Sequence, residues 1–213
     1  MWKAWSIAKA IEDKDRDGVA LSMISLTAPG IWFGDKVETR KLARSCNDFA
    51  AKTRADHPGR FGIFAAMPMP DVDGTLDEIA YAFDQLGVDG IGFLTSYGDK
   101  WFGDPAFDPV MAELNRRKAL AYIHPTVPDC CQNIIPSVPR QIVEFGTDTT
   151  RVIGQLVFGG QAQKYPDIRM IFSHGGGTMP FLYTRFVNHL RNPKVPQDAL
   201  DQLRRFYKRT STH

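Results

Sequence analysis

Two histidines stand where strand-like segments end, and they are the residues of this sequence best placed to do chemistry. Residues 168–172 form an apolar run, and His174 follows two positions later, ahead of three consecutive glycines. Residues 119–123 form a second apolar run, which leads directly into His124 and Pro125. Parallel α/β folds collect their functional groups at the carboxyl ends of the strands. The pattern therefore predicts one metal or acid–base site built from neighbouring strands.

The glycines at 175–177 strengthen the functional interpretation of His174. Glycine lets the backbone turn sharply and lets a ligand approach closely, and a neutral imidazole can bind a metal or move a proton. The alternative for each histidine is a hydrogen-bonded core residue without chemistry, which the strand-end position disfavours. The run is not a phosphate-binding loop, because no Gly-Lys-Ser/Thr sequence follows it. His57, His189 and His213 lack comparable surroundings, and we interpret the first two as structural.

Strand and helix patterns alternate along the chain and must position the two histidines. Apolar runs predict strands at 19–26, 61–67, 89–94, 119–123 and 168–172. Helical spacing of apolar residues predicts helices at 36–55, 75–86, 105–118, within 136–165, at 179–190 and at 197–207. The segment 15–18 is predicted as a turn that enters the first strand. Continuously apolar strands are typical of parallel strands covered on both faces. No repeat or linker divides the sequence, so residues 1–213 are predicted to form one α/β domain.

Composition limits the classes of function. The chain has 213 residues, 43% of them hydrophobic and 23% charged, and a net charge of +2. This balance gives no indication of a nucleic-acid partner, and no run reaches the roughly 18 apolar residues of a membrane span. Cys46, Cys130 and Cys131 contain no Cys-x-x-Cys pair, which argues against a disulfide framework or a thiolate zinc site. The amino terminus lacks a signal-peptide pattern, so we expect a cytoplasmic protein.

A set of short segments occurs in an order that resembles a known family. These are Trp5-Ser6, Asp15-Arg16-Asp17-Gly18-Val19, Arg60-Phe61-Gly62, Pro105-Ala106-Phe107, His124-Pro125-Thr126, Phe158-Gly159-Gly160 and Tyr165-Pro166-Asp167-Ile168-Arg169, continuing to Pro180. Together they resemble the amidohydrolase superfamily, in the branch that contains aminocarboxymuconate semialdehyde decarboxylase and related aromatic acid decarboxylases. The resemblance runs from about Trp5 to Tyr207.

The resemblance implies a (β/α)8 barrel that holds one divalent metal, usually Zn²⁺. It assigns His124 to the metal ligand on the fifth barrel strand and His174 to the functional histidine on the sixth. It also assigns Arg185 to binding of the substrate carboxylate, often across the interface of a homodimer. Trp32 and Phe33, in the loop after the first strand of this sequence, are expected to line the substrate pocket.

The sequence departs from the family pattern at both ends. It has no His-x-His pair, and after Tyr207 it continues as Lys-Arg-Thr-Ser-Thr-His in place of the strand that carries the metal-binding Asp. A complete barrel of this type takes about 250 residues. We therefore expect an incomplete barrel of about five to six βα units, lacking the first and last strands and two of the metal ligand groups.

These considerations predict a metal-dependent, non-oxidative decarboxylase of an aromatic or conjugated carboxylic acid. In such a site a metal polarises the substrate carboxylate or a bound water, and a histidine moves the proton that allows CO2 to leave. One alternative is a metal-dependent hydrolase of an ester, amide or lactone. A second alternative is an inactive homologue, since two histidines rarely hold a catalytic zinc ion.

Overall fold

A computed structural model describes residues 5–192 and 198–210 of the chain. The predicted beginning of the last helix at Gln197 and the residue His213 lie outside the described residues. Five parallel strands form the central sheet in the order β1-β2-β3-β6-β7. Their bounds are β1 (Ser22–Ile24), β2 (Phe61–Ala66), β3 (Gly90–Leu94), β6 (Leu120–His124) and β7 (Arg169–Phe172). A short antiparallel hairpin, β4 (Ser96–Tyr97) and β5 (Lys100–Trp101), follows β3.

Helices connect the strands and cover the outer face of the sheet. They are α1 (Ile7–Asp17), α2 (Lys36–Asp56), α3 (Val72–Asp84), α4 (Asp108–Arg116), α5 (Arg140–Phe158), α6 (Gln161–Lys164), α7 (Ser173–Gly176), α8 (Met179–Leu190) and α9 (Asp198–Thr210). Strands in sequential order with helical crossovers are the arrangement of a (β/α)8 barrel. Among the described residues β1 and β7 form open edges, so the barrel is incomplete, as the sequence predicts.

The core lies between the sheet and the helices, and it fixes the strands that carry the histidines. Ile91 of β3 and Ile123 of β6 are fully buried on one side of the sheet, within a cluster that includes Met111 of α4 and Ile153 and Leu156 of α5. Complete burial of one such side chain stabilises the fold by about 1.5–3 kcal/mol. The close packing of this core therefore fixes the positions of the strands that carry the histidines.

Helix α5 docks on this core through a stripe of side chains spaced by three and four positions. The buried members of the stripe are Glu144, Asp148, Thr149, Val152, Ile153, Leu156 and Val157. This spacing places them on one face of an α-helix. Its first half thereby contacts Thr95, His124 and His174, which follow or end β3, β6 and β7, and no local sequence signal predicts these contacts.

Several sequence-based predictions need correction. The segment 15–18 is not a turn into a strand: it forms the end of α1, where Gly18 has a left-handed backbone with φ of 71°. Strand β1 is three residues long and not the predicted eight, and β7 alternates exposed and buried residues. Both lie at a sheet edge with one neighbour. Continuous burial was predicted for all five strands, and β2 alone of these five shows it, since β3 and β6 alternate buried and half-buried residues in part. Among the described helices, none is long and apolar enough to cross a lipid bilayer.

Candidate active site

The structure brings His124 and His174 together. Strands β6 and β7 are neighbours, with Ile123 opposite Phe172, so the two histidines follow at the same edge of the sheet. Their ring centroids lie 5.4 Å apart with an angle of 73° between the ring planes. The predicted meeting of two strand-end imidazoles is therefore present in the fold.

His124 is held in one orientation by its own turn. It is 8% exposed, and its Nδ1 lies 2.8 Å from the carbonyl oxygen of Pro125. A carbonyl oxygen only accepts, so Nδ1 carries the proton and donates, which leaves the Nε2 lone pair available. Burial lowers the pKa of His124 below its usual value, and the nearby His174 lowers it further. The neutral imidazole is the form that can bind a metal or accept a proton.

His174 is exposed, and its backbone is strained. Its φ and ψ of 52° and 40° are left-handed, and Gly175 continues this conformation with φ of 63°. A residue with a Cβ atom pays about 1–2 kcal/mol for this backbone. At Gly177, a Cβ atom would collide with the carbonyl oxygen of Gly146 in α5. The glycines therefore allow a reversal of the chain that presents the His174 imidazole while α5 packs tightly behind it.

Phe145 of α5 completes a triangle of rings with the two histidines. Its ring centroid lies 5.8 Å from that of His124 and 5.7 Å from that of His174, in edge-on geometry in both cases. Edge-on packing of this kind restricts the rotation of both imidazoles. The sequence analysis missed Phe145 because a phenylalanine in an amphipathic helix carries no signal that distinguishes it from the core.

Asp148, one turn further along α5, is the second residue that the sequence analysis missed. Its carboxylate is fully buried and accepts hydrogen bonds from the Thr95 hydroxyl, from the Ser96 hydroxyl at 3.2 Å and from Trp101 Nε1 at 2.6 Å. Arg151 Nη1 lies 3.5 Å from Asp148 Oδ1, the oxygen that also accepts from Trp101. A carboxylate in the apolar stripe of a helix is unusual, and that pattern is the signal that could have found it.

A cavity of about 230 Å³ opens at the carboxyl ends of the strands; its lining does not include His124 or His174 but reaches Thr126, two residues after His124. Its walls include Trp32 from the loop after β1, Met67 after β2, Leu94 at the end of β3 and Thr126 after β6. Leu94 lies opposite His124 in the strand register. Among the described lining residues, Asp129 carries a negative charge, and none is a lysine or an arginine. The cavity thus suits an apolar ring, while a cation for a carboxylate group must come from outside this lining.

Of the three predicted substrate contacts, the structure places Trp32 alone in this cavity. Phe33 is 74% exposed and borders a separate surface cavity with Thr39 and Leu42. Arg185 lies exposed on α8, one turn after Phe181, which is 91% exposed. The loop therefore splits the two neighbouring aromatic residues between different surfaces.

The described residues do not complete a metal site. His124 offers its Nε2, but no three histidine, cysteine, aspartate or glutamate side chains within 5–192 and 198–206 come together around a common point. A catalytic divalent metal usually takes three protein ligands and leaves one position open. The described residues therefore supply part of a metal ligand set.

Comparison with known proteins places the chain in context. A family model described as amidohydrolase matches residues 2–206. The chain is 39% identical over 201 residues to the decarboxylase macB of Penicillium terrestre, covering 87% of this chain and 60% of that protein. It is 36% identical over 200 residues to the 6-methylsalicylic acid decarboxylase of Penicillium expansum, covering 89% and 61% respectively. The chain therefore spans about 60% of the length of these curated relatives.

A solved structure extends the likeness to the fold. The dihydroxybenzoic acid decarboxylase of Polaromonas sp. JS666 was solved with bound manganese and the inhibitor 2-nitroresorcinol. It is similar to this chain with a TM-score of 0.79 and 25% sequence identity, covering 88% of this chain and 61% of that one.

Proposed function

The chain belongs to the amidohydrolase family, and from that premise we propose that it acts as a non-oxidative decarboxylase of an aromatic or conjugated carboxylic acid. The observation that carries this proposal is the pair His124 and His174, 5.4 Å apart between ring centroids, at the edge of the sheet where a cavity that suits a ring also opens. An engineered cavity of about 150 Å³ takes up benzene, so about 230 Å³ has room for a substituted ring. Curated relatives named as decarboxylases support the same reaction class.

His174 is the proposed proton donor. A proton from its imidazolium adds to the ring carbon that bears the carboxylate. The bond from that carbon to the carboxylate carbon then breaks, its electron pair returns to the ring, and CO2 leaves. Positioned proton transfer of this kind contributes about 10²–10⁴-fold to a rate. The exposed position of His174 on a strained turn lets it recover a proton from solvent after each cycle.

Arg185 is the proposed partner of the substrate carboxylate, supplied by the second subunit of a homodimer. Two observations support this assignment: the cavity lining contains no cation, and Arg185 lies exposed on α8 beside the exposed Phe181. Guanidinium binds carboxylate through two parallel hydrogen bonds. In this arrangement Trp32 forms a wall of the cavity, whereas Phe33 borders a separate surface cavity and is not assigned to the substrate.

A divalent cation is the cofactor that we propose, with His124 as its candidate ligand on this chain. Zn²⁺ is the ion that the sequence resemblance indicates, and the manganese of the Polaromonas enzyme makes Mn²⁺ the second ion to test. Elemental analysis of the wild type and of the His124→Gln variant measures this directly. Metal that is retained by the wild type and lost in the variant supports His124 as a ligand.

The test of the proposed function uses purified protein, with and without added Zn²⁺ or Mn²⁺, and 6-methylsalicylate or 2,6-dihydroxybenzoate as substrate. We expect release of CO2 and, in D2O, one deuterium at the ring carbon that loses the carboxylate. His174→Asn is the matched control, because asparagine tolerates a left-handed backbone. Cleavage of aryl esters or lactones without CO2 release would favour the hydrolase, and no turnover of either class would favour the inactive homologue.

A further inference from the structure

A single turn of α5 contacts the chain segments that carry both histidines. On the His174 side, the Thr178 N–H donates to Thr150 Oγ1 at 3.0 Å, and Gly177 packs against Gly146 with no room for a Cβ atom. On the His124 side, the contact runs through the buried carboxylate of Asp148. Phe145 and Asp148, three residues apart, project from the same face of the helix.

Asp148 reaches the His124 segment through Thr95, which is fully buried. The Thr95 hydroxyl donates to Asp148 Oδ2 and accepts from the Thr126 N–H at 3.0 Å. The Thr95 N–H donates to the carbonyl oxygen of His124 at 3.0 Å. Thr95 thus holds the backbone on both sides of Pro125, whose carbonyl fixes the His124 imidazole.

We propose that Asp148 is a positioning residue, which acts through the Thr95 hydroxyl to fix the backbone around His124 and hence the direction of its Nε2 atom. The consequence for catalysis rests on the proposed function, whereas the consequence for the geometry of His124 does not. The hydrogen bonds of Asp148 do not reach either histidine directly, so its effect on His124 passes through Thr95.

The pattern of donors explains why this position requires a carboxylate. Four donors converge on Asp148: the Thr95 and Ser96 hydroxyls on Oδ2, and the Trp101 indole and Arg151 Nη1 on Oδ1. An ionised carboxylate only accepts, so it satisfies all four. An asparagine would present its NH2 group either to Trp101 N–H, a donor, or to Thr95, whose oxygen already accepts from Thr126. Either orientation disrupts one side of the network.

The hydrogen bonds of Asp148 divide into two arms, and this division separates positioning from general stability. The Thr95 arm leads to His124. The Trp101 arm leads to the β4–β5 hairpin, and the single indole N–H of Trp101 is used on Asp148. The backbone after the hairpin reaches Thr95 separately, since the Phe102 N–H donates to the Thr95 carbonyl at 3.0 Å. Thr95→Val and Trp101→Phe each delete one donor to Asp148 and leave that backbone contact in place; Thr95→Val keeps the side-chain shape, whereas Trp101→Phe also removes part of the ring.

The experiment measures histidine ring ¹⁵N chemical shifts and the hydrogen exchange of the Thr126 amide at one fixed pH, together with thermal stability. His124→Gln assigns the His124 ring signals. In Thr95→Val we expect displaced His124 ring signals and an exchange rate of the Thr126 amide faster on the order of tenfold, since that amide loses its acceptor. Thr95→Ser keeps the hydroxyl and should restore both values. Trp101→Phe should lower stability and leave both values unchanged.

Two results would overturn the positioning role. One is a Trp101→Phe variant that moves the His124 signals as far as Thr95→Val does. The other is a Thr95→Val variant in which they do not move. If Thr95→Val does not fold, Thr95→Ala provides the same test, since it also removes the hydroxyl that joins Asp148 to the Thr126 N–H and leaves Trp101 on Asp148.

Turnover separates this inference from the proposed function. In a chain that releases CO2, Thr95→Val should lower kcat on the order of ten- to a hundredfold with little change in KM, as expected for a displaced reacting group, and Trp101→Phe should not. A kcat that falls equally in both variants would contradict the positioning role. If the wild type releases no CO2, the proposed function fails, and the ring shifts and amide exchange still decide the role of Asp148.

Discussion

Two residues other than glycine have a left-handed backbone in the part of the chain that the structure describes, and they lie at opposite ends of neighbouring strands. Lys118 has φ of 51° and stands just before β6, at the amino end of the sheet. His174 has φ of 52° and stands just after β7, at the carboxyl end. The same backbone conformation has a different cause at each end.

At Lys118 the helix that precedes it accounts for the conformation. The Lys118 N–H donates to the Asn115 carbonyl at 3.0 Å, and the Ala119 N–H donates to the Leu114 carbonyl at 2.9 Å. This is the Schellman pattern that closes many helices, in which glycine is the usual residue. Lysine is tolerated there, and any residue that accepts the conformation would close α4.

At His174 the conformation does not close a preceding helix, because the element before it is the strand β7. His174 lies within the short segment α7, whose backbone is left-handed at His174 and Gly175. The left-handed turn swings the imidazole to within 5.4 Å of His124, measured between ring centroids. Strained backbone residues cluster at functional sites because the surrounding structure forces them there. A left-handed backbone by itself therefore does not identify a functional residue. A functional residue is identified when replacement of its side chain lowers activity.

The sharpest test of this contrast replaces His174. In His174→Asn and His174→Gly we expect the rate of CO2 release to fall about 10²–10⁴-fold, because the proton donor is lost. Stability should change by no more than about 1 kcal/mol, since asparagine tolerates and glycine prefers this backbone. Progress curves of product formation and chemical denaturation measure the two effects. A variant with wild-type turnover would remove His174 from the chemistry.

The second test concerns the helix contact behind the turn. Gly177→Ala should destabilise the fold by about 3 kcal/mol or more, because its φ of 67° is strained for alanine and the new Cβ atom would meet the Gly146 carbonyl. Gly175→Ala is the matched control: it shares the positive φ but has no atom within 4 Å of the added Cβ. Equal losses in urea denaturation would mean that backbone strain, and not α5, dominates at Gly177.

At the opposite end, Lys118→Gly should raise the free energy of unfolding by about 0.5–1 kcal/mol and leave turnover unchanged, because glycine adopts the C-terminal cap without strain. Lys118→Ala removes the same exposed side chain and keeps the strain, so it should not stabilise. A loss of turnover in Lys118→Gly would show that the two ends of the sheet are coupled, contrary to the comparison.

The smallest expected effect is a pH dependence of the free energy of unfolding, and it arises near Lys118, at the amino end of the sheet. Arg116 and then Arg117 lower the pKa of Glu113 to about 2, below an unfolded value of about 4.3. The pair therefore stabilises the fold above about pH 4.3, and this stability is lost as the pH falls towards 2. Solvent screens the exposed Arg116, so we expect less than about 1 kcal/mol. Thermal melts from pH 2 to 6 should show a shallower acid loss in Glu113→Gln than in the wild type.

The sequence predicts much of the frame because the relevant signals are local. The helix at 179–190 is observed with these bounds, and the apolar runs before His124 and His174 become adjacent parallel strands. Adjacent strands bring their ends together, so the meeting of the two histidines could be foreseen. The amino-terminal helix α1 was missed, since charged residues dominate it and mask its apolar spacing.

The rest of the site depends on contacts between distant segments. Phe145 and Asp148 become important only when α5 packs beside the strand ends, where Asp148 also contacts the β4–β5 hairpin. The separation of Trp32 from Phe33 depends in the same way on the path of one loop. Sequence patterns describe which face of an element is apolar, and they do not specify the element that will cover it.

The docking of α5 also determines when in folding the site can exist. The contact between Thr95 and Asp148 closes a loop of 53 residues, and the contact between Thr150 and Thr178 closes one of 28. Each closure reduces chain entropy, and both are completed by the same helix. A peptide that contains one histidine strand alone therefore cannot reproduce the arrangement, because it lacks one of these two closures. Helix α5 therefore couples the two segments: Asp148 contacts the His124 side and Thr150 the His174 side, so a displacement of the whole helix would move both imidazoles.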